Sequence, residues 1–193
     1  MLNALYPSIV IISFFLIVFG FRHFKGTISS LRYFYWIIFG IYITGMVVLT
    51  FFPIPYQKFL IQTMIEDNLG LKHNFIPFKG VLELLAPEYL SIGLRQFVGN
   101  ILLFVPLGFG VSILFFKLKP KAIIVIGFFV SLSIEILQAI LGFIIGYNYR
   151  AFDVNDLILN TVGTIIGLII FKALFKFLNN NNLLLDKEQK VTV

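Results

Sequence analysis

The chain has 193 residues, 59% of them hydrophobic and only 12% charged, with a formal net charge of +6 and no cysteine. Soluble domains average about 45–50% apolar residues, so a soluble fold of this length could not hide so much apolar surface. The missing cysteine excludes a disulfide framework, a thiol nucleophile and a zinc–thiolate site.

A bilayer-spanning helix needs about 20 mostly apolar residues, and five runs qualify. They cover approximately residues 5–21, 33–52, 97–116, 122–146 and 157–177. Nothing basic precedes the first run, where the earliest cationic side chain is Arg22, so it reads as a retained anchor and not a signal peptide. The expected fold is all-α, a polytopic integral membrane protein of about five transmembrane helices with an external amphipathic segment. Its expected parts are two N-terminal helices (1–52), an external interfacial segment (53–96), a three-helix core (97–178) and a cytoplasmic tail (179–193).

Within the external segment, "YQKFLIQTMIEDNLG" has apolar residues at helical spacing and ends in a glycine that could cap it. "KGVLELLAPEYLSIGLRQ" is similar, broken at Pro87. Between them, "HNFIPFKG" contains Pro77, which pushes Ile76 toward extended geometry. Helices lying in the membrane interface are expected here. No internal repeat marks a transporter of two inverted halves.

The charges predict an orientation. Arg22, Lys25, Arg32, Lys117, Lys119, Lys121, Lys172, Lys176, Lys187 and Lys190 all fall on one side of such a five-span chain. The positive-inside rule makes that side cytoplasmic, placing the N-terminus outside and the C-terminus inside the cell membrane. The excess of positive charge is then explained without a nucleic-acid partner.

Polar residues are spaced like stripes. On the fourth span Gly127, Ser131, Glu135, Gln138 and Gly142 share one helix face, as do Asp153, Asp156, Asn160, Gly163 and Gly167 on the fifth. Packing these two stripes on each other would keep the acid from lipid. The third span adds Asn100 and, at Pro106, a proline that frees backbone groups. Arg150 and Asp153 sit on the short turn between the fourth and fifth spans.

These groups are expected to converge on one cavity open to the outer leaflet, with an Arg150–Asp153–Asp156 network at its mouth. The candidate ligand-binding set is Asn100, Glu135, Gln138, Arg150, Asp153, Asp156 and Asn160. An ionised acid near the bilayer centre costs about 2.5–3.5 kcal/mol on insertion scales, so Glu135 should be protonated or paired. Glu135 is therefore the candidate acid or base, against the plainer alternative of interhelical hydrogen bonding. Helix capping is the plainer alternative for Asp153 and Asp156. A metal site built from Asp153, Asp156 and Glu135 stays open as an alternative, but no metal or cofactor is assigned.

Four stretches, "NFIPF" at 74–78, "GNILLFVPLGFGV" at 99–111, "SLSIEILQ" at 131–138 and "RAFDVNDLILNTVGTIIG" at 150–167, resemble in order the motifs of the VanZ-like family. Asn100, Pro106, Gly108, Asp153, Asp156, Asn160 and Gly163 fall on that family's pattern, and Glu135 and Gln138 occupy the acid and amide of its fourth-span motif. The resemblance covers about residues 74–171 and implies a bacterial membrane protein related to one associated with low-level teicoplanin resistance. It carries no settled activity.

Three functions follow as expectations. In the first, a non-enzymatic envelope protein binds a membrane lipid, a lipid-linked ligand or a lipoglycopeptide at the outer leaflet and so limits antibiotic access. In the second, an intramembrane enzyme acts on a lipid-linked envelope substrate with Glu135 as acid or base and Arg150 holding an anion. The third is a proton-coupled transporter. Against the enzyme stand the absence of a phosphate-cradling glycine loop, of HExxH and of a lipid-phosphatase pattern.

Overall fold

The computed structural model of the protein describes residues 1–79 and 87–184. Among these residues the chain forms six helices and no strand: α1 (Leu5–Phe24), α2 (Ser30–Phe51), α3 (Lys58–Glu66), α4 (Leu90–Leu114), α5 (Pro120–Ile145) and α6 (Val154–Asn180). All but α3 are long and apolar enough to cross a membrane. The fold is all-α and polytopic, as the composition requires.

Local signals set several helix ends. The Ser29 side chain caps α2 by accepting from the Arg32 N–H at 3.3 Å. Pro120 begins α5, where its missing N–H has no helical partner to lose. Gly146 ends α5 with φ of 75°, a left-handed conformation that glycine adopts without strain. Asp153 caps α6 through the Asn155 N–H at 2.8 Å.

Three expected boundaries shift. The third span starts at Leu90, so residues 90–96 belong to a membrane-length helix and not to the external segment. The helix α3 stops at Glu66, and Asn68, with φ of 52°, takes the left-handed position expected of Gly70. Asparagine tolerates that region because its short amide can bond locally. The start of the tail is docked: the Tyr35 hydroxyl donates to the Leu183 carbonyl at 3.1 Å, and Leu184 joins a cluster with Phe171 and Leu178. Residues 80–86, within the second expected external helix, and residues 185–193 of the tail lie outside the described residues.

The membrane-length helices alternate in direction. At one end, the Arg32 guanidinium donates to the Leu114 carbonyl at 3.0 Å, joining the start of α2 to the end of α4. The other end gathers the start of α1, the end of α2 and the α5–α6 turn: Leu2 bridges Ile54, and the Tyr149 hydroxyl donates to the Phe51 carbonyl at 3.2 Å. Arg22, Lys25, Arg32, Lys117, Lys119 and Lys121 thus cluster at the end away from the α5–α6 turn.

Both predicted stripes are inside, and their polar halves meet as expected, with Asn160 donating to Ser131 Oγ at 2.9 Å and Glu135 accepting from the Asp153 N–H at 2.8 Å, but the glycine half of the α6 stripe turns elsewhere. Gly127, Ser131, Glu135, Gln138 and Gly142 are buried on α5, and Asn160, Gly163 and Gly167 on α6. A Cβ on Gly163 or Gly167 would collide with backbone of α4, at Ile101 O and Val105 O respectively. The glycine stripe of α6 therefore seats on the third span. The fourth span also meets α6 at Thr164, which is fully buried between Gly108 of α4 and Gly127 of α5. Without a hydrophobic driving force between helices in lipid, such close backbone approach supplies the van der Waals packing that joins them.

Candidate functional site

Three backbone segments build the site at the α5–α6 turn. His73 and Asn74 run alongside Phe152, Asp153 and Val154: the Asn74 N–H donates to Phe152 O at 2.8 Å and the Val154 N–H to Asn74 O at 3.0 Å. His73 Nδ1 accepts from the Phe152 N–H at 3.0 Å. The Asn74 amide donates to Asp153 Oδ1 at 2.8 Å, and Asn155 Oδ1 accepts from the Phe78 N–H at 2.6 Å. The 71–79 loop is thereby pinned across the mouth of the bundle.

Behind this platform lies Glu135, 2% exposed on α5. Its Oε2 accepts from the Asp153 N–H at 2.8 Å, so the acid satisfies the backbone at the α6 cap. No cation pairs with it among the described residues. Gln138 donates to the Thr50 carbonyl at 2.9 Å at the end of α2, and Asn160 donates to Ser131 Oγ at 2.9 Å. The Arg150–Asp153–Asp156 ion network expected at the mouth does not form: the Arg150 guanidinium instead donates to the Leu49 carbonyl at 3.2 Å. The last helical carbonyls of α2 lack helical partners, which makes them good acceptors for a nearby cation.

Next to these groups opens a cavity of about 510 Å³, within the usual range for ligand pockets. Asn100, Gln138, Arg150, Asp153 and Asp156 line it. Glu135 and Asn160 do not; contrary to expectation they sit in the helix interface behind it. Asp156 accepts weakly from Gln96 at 3.4 Å, and the buried Asn100 amide also faces its carboxylate. Burial pushes the Tyr149 phenol above its ordinary value, although Arg150 lowers it, so its hydroxyl stays a donor to Phe51.

Lys72, Arg95 and Gln96 also line the cavity and were not among the candidates. Lys72 and Arg95 carried only a weak signal: they are cations on the side that the positive-inside rule leaves poor in them. His73, Asn74 and Asn155, which fix the loop, fall inside the quoted motifs, but no spacing rule connects a loop to a helix cap 79 positions away.

A family model, VanZ/LLP1, matches residues 39–176, most of the chain. The chain belongs to the VanZ/LLP1 family. The matched region takes in most of α2 and all of α4 and α5, with α6 as far as Lys176, and so includes every residue named in the site. Neither the curated proteins nor the solved structures gave a match.

Proposed function

We propose that this VanZ/LLP1 member is a cell-envelope membrane protein that contributes to resistance against teicoplanin-type glycopeptides by binding or shielding at the outer leaflet. The N-terminus lies outside and the C-terminus in the cytoplasm. The observation that carries the proposal is the polar cavity of about 510 Å³ at the end of the bundle opposite the lysine- and arginine-rich connections. Teicoplanin-type drugs carry an acyl chain, and a site among helix ends is placed to meet an acylated or lipid-linked ligand where it enters the bilayer.

The alternative of acid–base chemistry at Glu135 lacks comparable support. A general acid or base must reach the proton that it transfers. Glu135 is outside the cavity lining, and its Oε2 is held by a backbone amide.

The test is growth of a deletion strain and a complemented strain on teicoplanin and vancomycin. The complemented strain is expected to tolerate several-fold more teicoplanin, with a smaller change for vancomycin. Equal sensitivity of the two strains to both drugs would end the resistance reading.

A further inference from the structure

The cavity has more cationic groups than its own carboxylates use. Lys72, Arg95 and Arg150 line it, and none forms an ion pair with Asp153 or Asp156. Asp153 accepts from the Asn74 amide and the Asn155 N–H, both at 2.8 Å, and Asp156 faces the amides of Gln96 and Asn100. Three cations around an open volume are complementary to a multiply accepting anion, and phosphate oxygens meet Arg and Lys with strong, charge-assisted hydrogen bonds.

We propose that the cavity holds the phosphate of a membrane-lipid headgroup, gripped by Lys72, Arg95 and Arg150. This deepens the outer-leaflet binding reading and rests on it for the side of the membrane alone. The lipid source, rather than free phosphate, follows from the surroundings. The apolar Leu71 and Ile92 line the same cavity and are exposed, Ile92 on a helix long and apolar enough to cross a membrane. Acyl chains attached to a phosphate in the cavity would leave it past these two side chains.

Gly99 offers a variant that alters the cavity without disturbing packing. It lines the cavity, and a Cβ built on it meets nothing within 4 Å. Gly99→Leu therefore fills open space.

The experiment is native mass spectrometry of the full chain in detergent, titrated with short-chain phosphatidic acid, the matching diacylglycerol or inorganic phosphate. One phosphatidic acid is expected to bind per chain, with diacylglycerol and inorganic phosphate at least tenfold weaker. The Lys72→Ala/Arg95→Ala double variant should weaken binding at least tenfold and Gly99→Leu should abolish it. Lys121→Ala, at the opposite end, should leave it unchanged. Equal binding of diacylglycerol would overturn the anion site, and equal binding of inorganic phosphate would overturn the lipid source. Unchanged affinity in both cavity variants would overturn the placement. A chain that binds phosphatidic acid yet protects no cell from teicoplanin supports this inference and removes the resistance reading; protection without lipid-phosphate binding does the reverse.

Discussion

The N-terminal hairpin and the α4–α6 core are both made of long apolar helices, yet they are held together by different means. Between α1 and α2 the contact is aromatic: Phe19 stacks on Trp36 with centroids 4.0 Å apart, and Phe15 lies over Gly40. Only 6% of the most apolar stretch of α1 is buried, so most of its surface is left for lipid. Between α4 and α6 the glycines bring backbone against backbone. Rings can slide and rotate, whereas carbonyls fixed in a helix cannot, so the two regions should differ in tolerance. The core must be rigid because it positions the α6 cap, and through it the cavity.

The largest expected effect breaks the rigid contact. Gly163→Leu or Gly167→Leu would drive a side chain into the carbonyls of Ile101 or Val105 and should cost about 3 kcal/mol. Thermal unfolding in detergent would show it as a lowered midpoint and cells as lost membrane abundance. Normal stability of both variants would mean that the stripe does not touch α4.

Glu135 separates shape from charge. Glu135→Ala strands the Asp153 N–H and should cost about 1–3 kcal/mol. Glu135→Gln keeps a carbonyl oxygen for that N–H and should retain both stability and drug tolerance. An acid or base at Glu135 would require the opposite outcome, loss of function in the glutamine variant. That outcome, with normal abundance, would restore the acid–base reading.

A smaller loss, about 1 kcal/mol, is expected for Tyr149→Phe, which removes one hydrogen bond to Phe51 while keeping the ring. The smallest belongs to the hairpin. In Gly20→Ala the new methyl meets only the far end of the Tyr33 side chain, at 3.7 Å, and the cost should stay below about 1 kcal/mol. A hairpin variant as damaging as Gly163→Leu would erase the distinction between the regions.

Much of this was legible in the residues. Hydropathy found the five spans, and helical spacing identified both buried stripes, including Glu135 and Asn160. The partner of the glycine half of the α6 stripe was not legible. Small residues announce that some backbone will come close, but the partner is a run of ordinary carbonyls at Ile101 and Val105, which no residue type advertises. Glu135 presents the same difficulty, since its partner is a backbone N–H. Arg150 was read by charge, and charge pointed to the neighbouring aspartates. The end of α2, 101 positions away, offered an unsatisfied carbonyl instead.

The central claim is that the cavity beside the α5–α6 turn opens to the outside of the cell. Because the chain has no cysteine, single cysteines can be placed without removing others. Ala151 lines the cavity, and Ser29 caps α2 at the opposite end of the bundle. With a membrane-impermeant thiol reagent on intact cells, Ala151→Cys is predicted to label and Ser29→Cys to label only after permeabilisation. Labelling of Ser29→Cys in intact cells, with Ala151→Cys protected, would contradict the orientation and the function built on it.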